Sequence, residues 1–264
     1  MKAINIYFHY FLVYLKSRAV YKFDFAVGLF SHLLIGTFGL LFVVMLMDGE
    51  QINSLDGWSK DEVIFIYGYS LLSLSLFNSV SMNLFRFGDR YVNGGQFDRV
   101  LLRPLNTIAQ VIFESFNLDS IGTFILGIAV LTKSAIALNI SFGILDILWL
   151  FVSVVSGAAI LISVFICLAS LAFHFDDKLG IGAPVYSLIN FGRYPISIFN
   201  KFIQFFLSFV IPFAFVAFYP ATYFFERKGY LVFCYLTPLV AITSVMVARL
   251  FWRLGEKKYT STGF

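Results

Sequence analysis

Two carboxylates in an otherwise uncharged stretch are the residues with the clearest capacity for chemistry. Glu114 and Asp119 interrupt residues 107–132, which hold no other acid or base. A charged group in an apolar membrane helix is costly, so it normally faces a bundle interior or a water cavity. On one continuous helix the two acids lie about 7 Å apart along the axis and about 140° apart around it. Glu114 would then share a face with Asn117 and Ile121, and Asp119 would lie on another.

These positions leave three hypotheses open. Glu114, Asn117 and Asp119 could line a polar pathway or form a conformational latch between two states. A simple hydrogen bond between helices is the plainer alternative, because a buried polar group needs a partner. An enzyme embedded in a membrane would instead use Glu114 and Asp119 as acid and base.

The other residues that could support catalysis or metal binding are scattered along the chain. The histidines His9, His32 and His174 lie far apart, with no carboxylate at the helical spacing of a zinc motif. Residues 127–134 approach the pattern of a phosphate-binding loop, but Thr132 replaces the second glycine, which such a loop needs to wrap a phosphate. We therefore predict no catalytic residue, no metal ion and no cofactor held by this chain.

The composition identifies an integral membrane protein. Of the 264 residues, 59% are hydrophobic and 13% are charged, and the mean hydropathy is +0.85. Soluble domains are about 45–50% apolar and about 25% charged. This excess of hydrocarbon excludes an ordinary cytosolic enzyme, a disordered chain and a secreted disulfide module. Cys167 and Cys234 lie in apolar runs without a CxxC pair, so we interpret them as packing residues.

Stretches without Asp, Glu, Lys or Arg predict the membrane spans. A helix needs about 20 apolar residues to cross the hydrocarbon of a bilayer. Five stretches meet this length, and residues 107–132 form a sixth, polar span. The predicted spans are residues 25–47, 63–85, 107–132, 147–175, 202–225 and 229–248. The sequence therefore predicts an all-α integral membrane fold with six transmembrane helices, in a single domain over residues 1–264.

The positions of Lys and Arg predict the orientation. With the N-terminus inside, 15 of the 19 basic residues fall in cytoplasmic segments, as the positive-inside rule expects. Both termini should therefore be cytoplasmic, and the net charge of +4 reflects this bias and not a nucleic-acid partner. Residues 1–24 mix aromatic rings with cations, which predicts an interfacial helix; an N-terminal extension of the first span is the alternative.

The inner loop over residues 86–106 is too elaborate for a plain connection. It contains four arginines, two aspartates, the pair Gly94-Gly95 and Pro104, and it predicts a short amphipathic helix over residues 97–102. We expect this helix to present apolar and charged side chains to a cytosolic partner; a basic loop that only fixes the topology is the alternative. The residues proposed for this contact are Phe97, Asp98, Arg99, Val100, Leu101 and Arg103.

Two prolines interrupt the fifth predicted span. Proline removes an intrahelical hydrogen bond and bends or ends a helix. Pro212 and Pro220 therefore predict that the chain turns back within the membrane, as a re-entrant element over residues 212–228 that could act as a gate. Such irregular backbone needs protein or a water cavity around it.

Several motifs in a fixed order give the chain a family resemblance. They are Gly94-Gly95-Gln96-Phe97-Asp98, Leu101-Leu102-Arg103-Pro104-Leu105, Tyr194-Pro195, Phe209-Val210-Ile211-Pro212-Phe213-Ala214, Tyr219-Pro220-Ala221, and a tail from Trp252 to Tyr259-Thr260-Ser261-Thr262-Gly263. In these motifs the chain resembles the ABC-2 type permeases, the membrane subunits of bacterial ATP-binding-cassette exporters, over essentially its whole length. It is most similar to permeases encoded beside an ATPase and a second, related permease.

The resemblance implies a coupling helix in the first inner loop and a re-entrant element before the last span. It implies a non-catalytic subunit of the bacterial inner membrane, with ATP and Mg bound by a separate ATPase. A second permease subunit, related but different, would complete the pathway; a homodimer is the alternative. The expected cargo is hydrophobic or amphipathic (a drug, a peptide or a lipid), with membrane lipid around the chain. The competing interpretation is the embedded enzyme, or a lipid-handling protein, that uses Glu114 and Asp119.

Overall fold

The computed structural model describes residues 20–48, 56–175, 182–225 and 228–261, together with residues 12, 13, 15 and 16. Most of the predicted interfacial helix, residues 1–24, lies outside the described residues. Within the described part the regular structure is helical, with no β-strand. In chain order the α-helices are α1 Lys22–Met47, α2 Lys60–Val80, α3 Met82–Phe85, α4 Gln96–Leu101, α5 Thr107–Phe113, α6 Ile121–Ala137, α7 Ile144–Leu171, α8 Gly182–Leu188, α9 Lys201–Phe205, α10 Phe218–Ala221 and α11 Leu231–Glu256.

Five of these helices are long and apolar enough to span a bilayer: α1, α2, α6 with the preceding turn, α7 and α11. Helix α2 lies at the centre of the bundle, since 72% of its most apolar stretch is buried, against 11% for α1. Its first turn is fixed by Ser59, which accepts a hydrogen bond from the Glu62 amide while the Glu62 carboxylate accepts one from the Ser59 amide. The predicted all-α membrane fold is confirmed.

Small residues bring the central helices close together. A Cβ placed on Gly68 of α2 would lie 2.9 Å from the Leu131 amide nitrogen in α6. On Gly157 of α7 it would lie 2.7 Å from the Val216 carbonyl oxygen. Ser73 adds a hydrogen bond of 3.2 Å to the same Val216 carbonyl. Glycine and serine therefore set the spacing between helices, as is usual in membrane bundles.

The third span is not one continuous helix. Helix α5 ends at Phe113, and the chain from Glu114 to Asn117 is not regular before a 3₁₀ turn, Leu118–Ser120, leads into α6. The Asn117 amide donates a 2.7 Å hydrogen bond to the Ser79 carbonyl, so the break is held against the end of α2. The expectation that Glu114, Asn117 and Ile121 share one helical face is therefore wrong. Helix α6 instead reaches its length by continuing past Lys133 to Ala137.

Residues 182–200 cross the bundle from one end to the other, although the sequence placed them in a loop. Near the start, the Tyr186 ring lies 6.4 Å from the Phe77 ring, close to the end of α2. Farther along, Ser197 accepts a 3.0 Å hydrogen bond from the Trp58 indole, just before α2 begins. Phe77 and Trp58 are separated by about 28 Å along the axis of α2. This crossing consists of α8 and two 3₁₀ turns, so the sixth crossing is not a regular helix.

The chain then forms a hairpin that enters and leaves at the Trp58 end. Its limbs, Lys201–Val210 and Phe213–Phe225, bend by 76° relative to each other. The first limb follows the crossing directly, and the last ring of the second limb lies 6.1 Å from the Trp58 ring. Between these ends, the Val216 carbonyl meets Ser73, about 22 Å along α2 from Trp58. The predicted span over residues 202–225 is therefore wrong, and the re-entrant element begins earlier than the predicted residue 212.

This crossing also changes the position of two basic residues. The Arg193 guanidinium lies 5.7 Å from the centre of the Tyr67 ring, well inside the bundle. Lys201 follows the crossing at the Trp58 end and begins α9. Their place between the predicted spans 147–175 and 202–225 predicted a cytoplasmic position for both. In the structure, neither lies at the end of α2 where the inner loop over residues 86–106 is found. The bias that remains among the other basic residues still favours the predicted orientation.

Cysteine labelling tests the crossing directly. In a chain whose Cys167 and Cys234 are replaced by alanine, we expect Asn200→Cys to react with an impermeant reagent from the same side as Lys60→Cys. Thr260→Cys should react only from the opposite side, because the chain crosses once more in α11. Labelling of Asn200→Cys from the side of Thr260→Cys would show that residues 182–200 do not cross.

Candidate functional site

Helix α4 is the predicted docking helix, and two glycines position it. The chain leaves α3 in a π-helical turn, Phe87–Asn93, and reverses before α4. Gly95 has a φ of +66°, which favours glycine. A Cβ on Gly94 would lie 2.6 Å from the Arg90 carbonyl oxygen. Each glycine is therefore required by the shape of the turn.

Phe97 faces the interior of the protein. It is completely buried, and Val100 on the same face of α4 is 3% exposed. The ring centroid of Phe97 lies 4.9 Å from Tyr259, 5.1 Å from Phe173 and 5.7 Å from Phe87. The expectation that Phe97 and Val100 are presented to a partner is therefore wrong. A short helix lying on the end of a bundle gains most by burying its aromatic ring there.

Five rings from separate parts of the chain form this contact, which we call the aromatic cluster. Its members are Phe87, Phe97, Phe173, Trp252 and Tyr259. Phe87 and Trp252 have centroids 4.7 Å apart, and Phe173 and Trp252 lie at 5.4 Å. The cluster thereby joins α4 to the residues just after α7, to the last turns of α11 and to the C-terminal tail.

Polar contacts fix the same helix from two sides. Gln110 of α5 donates hydrogen bonds of 3.1 Å to the Val100 carbonyl and 3.2 Å to the Leu105 carbonyl. The Ser261 hydroxyl donates a 2.6 Å hydrogen bond to the Asp98 carboxylate. Asp98 thus holds the C-terminal tail instead of facing outward alone.

The Tyr259 phenol belongs to the same contact between the tail and α4. Burial, and then the neighbouring Asp98 carboxylate, raise the pKa of Tyr259 to about 12. Both causes oppose ionisation, because an anionic phenolate would be poorly solvated and would be repelled by the carboxylate. The Tyr259 ring therefore stays neutral at physiological pH, and it remains compatible with its apolar place beside Phe97.

Glu114 lies at the break before α6 and connects three elements. Its carboxylate accepts short hydrogen bonds from the Tyr91 phenol and from the Arg99 guanidinium of α4. A second guanidinium, that of Arg90, lies 3.8 Å from the same carboxylate. Burial and then the Glu114 carboxylate raise the pKa of Tyr91, so this phenol remains a donor at neutral pH. Glu114 therefore anchors α4 and the π-helical turn to the third span.

Asp119 has different neighbours. It lies in the turn before α6, where Asn117 accepts a 3.2 Å hydrogen bond from the Asp119 amide. A Cβ on Gly28 of α1 would lie 2.5 Å from the Asp119 carboxylate, so this acid packs closely against α1. Glu114 and Asp119 thus contact different elements, and the structure assigns them no shared polar stripe.

The outward face of α4 is carried by other residues. Leu102 is 85% exposed and Leu101 is 44% exposed. The Arg99 side chain is half exposed beside them, and Arg103 is partly buried. The three-residue spacing of Phe97 and Val100 is the signal that could have identified the inner face. Leu102, which was not among the predicted contact residues, is the most exposed apolar side chain of this segment.

The two prolines lie at different places in the hairpin. Pro212 is at its tip and lines a cavity of about 550 Å³ between α7, α11 and the hairpin, with Ser163 and Val240. Pro220 is buried in the second limb, where its carbonyl accepts a 3.3 Å hydrogen bond from the Trp149 indole. Of the two predicted gate residues, Pro212 therefore lies at the bend. Within the described segments, no group of three or more His, Cys, Asp or Glu could hold a metal ion.

Comparison with known protein families gives a match to a transporter family. Residues 32–263 match the model of the ABC-2 family transporter proteins, which is nearly the whole chain. No match was found among curated proteins or among solved structures. The chain belongs to the ABC-2 transporter family. It is a multi-pass membrane protein of the permease class, whose members work with an ABC ATPase.

The buried face of α4 yields a stability prediction. Phe97→Ala should lower the free energy of unfolding by about 3–5 kcal/mol, the usual cost of removing a buried Phe ring. Leu102→Ala, the matched control, should change it by less than about 0.5 kcal/mol because this side chain is exposed. Unfolding of the purified protein in detergent measures both. Equal effects of the two substitutions would contradict the inward position of Phe97.

Proposed function

We propose that the chain is the non-catalytic membrane subunit of a bacterial ABC exporter that moves a hydrophobic or amphipathic compound outward. ATP and Mg are bound and ATP is hydrolysed by a separate ATPase subunit. The observation that carries this proposal is the construction of α4, whose buried face is fixed to the bundle and whose outer face offers leucine and arginine to a partner. Membership of the ABC-2 family supports the same assignment.

The contacts of α4 suggest how ATPase movement reaches the membrane. A force on α4 acts through Phe97 on Trp252, near the end of α11. Helix α11 extends to the opposite end of the bundle, where the Phe233 ring stacks on Tyr219 of the hairpin at 5.0 Å. Packed helices transmit displacement as rigid bodies. Closure of the ATPases would therefore move α4, α11 and the hairpin together.

The docking contact centres on Leu102, with Leu101 beside it. An exposed leucine is suited to an apolar groove, and Arg99 can meet an acidic rim while its other contact, Glu114, holds it in place. Such central anchors often dominate an interface. Phe97, Val100, Asp98 and Arg103 take part by shaping and supporting this surface.

The assembly we propose is a pair of permease subunits, with a related second chain or a second copy, above two ATPase domains. Helix α1 is the least buried of the long helices and carries exposed apolar side chains, which leaves a flank for a second permease and for membrane lipid. The proposed location is the bacterial inner membrane with both termini cytoplasmic. This orientation places α4 on the ATP-containing side.

The alternative of an embedded enzyme or a lipid-handling protein has weaker support. Its acid and base would be Glu114 and Asp119, which contact different elements of the structure. Glu114 is engaged by Arg99 and Tyr91 and lies close to Arg90. These contacts occupy the Glu114 carboxylate with side chains of the protein itself, which leaves it poorly placed to meet a substrate.

Alanine substitution of the docking leucines tests the proposal. Leu101→Ala with Leu102→Ala should weaken binding of the partner ABC ATPase by about 2 kcal/mol or more, roughly 30-fold. Transport should fall with it, while insertion and stability stay normal. The measurement is the Kd of the purified subunits, with co-purification from membranes as a second readout.

Leu145→Ala provides the matched control, because Leu145 is 74% exposed and begins α7 at the opposite end of the bundle. It should leave ATPase binding unchanged. If the double variant binds its ATPase and exports as well as this control, α4 is not the docking helix.

A further inference from the structure

Arg193 is a cation inside the membrane-spanning part of the bundle. Its guanidinium lies 5.7 Å from the centre of the Tyr67 ring, and Tyr67 is about 12 Å along α2 from the N-cap Ser59. Charged residues at such depth are costly and usually mark a binding site or a pathway. The crossing over residues 182–200 places this cation there, because the loop predicted from sequence would have left it in water.

Among the described residues, no acid pairs with this charge. The Arg193 Nε atom is buried without a hydrogen-bond partner among the described residues. The cavity beside it is lined, as far as the described residues go, by no acid. The Tyr67 ring gives a cation–π contact, which offsets only part of the cost of desolvation. The guanidinium thus retains donor capacity that an anion could use.

A cavity of about 530 Å³ adjoins the guanidinium, between α1 and the crossing. This volume is within the usual range of ligand pockets, about 300–1,000 Å³. Apart from Arg193 and Asn190 its lining is mostly apolar or aromatic, with Phe191 and Phe199 from the crossing and Phe42 from α1. Phe42 is 58% exposed, so the cavity opens sideways on the apolar flank of α1. A molecule dissolved in the bilayer could enter there.

We propose that this cavity binds a single-chain amphipathic anion, with its carboxylate or phosphate on Arg193 and its hydrocarbon chain against the aromatic wall. Guanidinium and carboxylate or phosphate form paired, charge-assisted hydrogen bonds that a neutral head group cannot match. The proposal deepens the proposed function by naming the chemical class of the cargo. The role of this anion as cargo rests on the proposed transport function, whereas its binding requires no ATPase.

Binding to the purified permease, without ATPase, tests the site. The probe is cis-parinaric acid, a fluorescent fatty acid, and its methyl ester is the uncharged comparison. We expect the wild-type protein to bind the acid at least tenfold more tightly than the ester. Arg193→Gln should reduce acid affinity to that of the ester, and Arg193→Lys should have an intermediate effect. Lys201→Gln, which removes an exposed cation nearby, should change neither affinity.

A second variant keeps the proposal testable if Arg193→Gln does not fold. Ile198→Trp adds bulk to the cavity wall and leaves Arg193 in place, so it should weaken acid and ester alike. Equal wild-type affinity for acid and ester would overturn the proposal, as would unchanged acid binding in Arg193→Gln. In the latter case, loss of a permease dimer in the same variant would assign Arg193 to an acid of the second subunit. Failure of ATPase docking at Leu102 would not alter these binding results.

Discussion

Burial of the Phe97 ring is the contact on which the cytoplasmic end of the protein depends. Helix α4 has six residues, and isolated helices shorter than about 12–15 residues are marginal in water. It persists because Phe97 packs against Phe173 and Trp252 and because Val100 is also buried. This burial also decides which face of α4 is available to a partner, since the positions opposite Phe97 are then turned outward. The C-terminal tail completes the same contact through Tyr259 and Ser261.

A second constraint governs the opposite end. The crossing over residues 182–200 and the hairpin over residues 201–225 place irregular backbone deep in the bundle. Such backbone survives in a membrane only where protein covers it or water reaches it. Gly157 and Ser73 supply this cover, because one lets the hairpin approach closely and the other bonds its Val216 carbonyl. The protein can therefore combine a rigid α2 core with an irregular, aromatic wall beside α1.

The length and apolarity of the spans could be predicted from sequence because hydrocarbon thickness limits both. Four of the long helices, α1, α2, α7 and α11, lie close to their predicted positions for that reason, whereas α6 begins and ends later than predicted. The crossing over residues 182–200 could not be found by a search for uncharged stretches, since Arg193 interrupts it and its aromatic environment arises only in the fold. The break at Glu114 likewise depends on Arg99 and Tyr91, which are distant in sequence. The helical spacing of Phe97 and Val100 indicates that they share one face of α4. Hydrophobicity alone did not show whether that face is buried by this chain or by another subunit.

The most direct test of the account is the rigidity of α4 relative to α11 while the ATPases cycle. Spin labels at Gln96→Cys and Leu254→Cys, in a chain whose Cys167 and Cys234 are alanine, leave the docking leucines and the aromatic cluster intact. Electron spin resonance on the assembled transporter measures the distance between them with and without bound ATP. The account predicts the same distance distribution in both states, because the aromatic cluster makes α4 and the end of α11 one body. A clear shift on ATP binding would show that α4 moves on its own and would contradict the account.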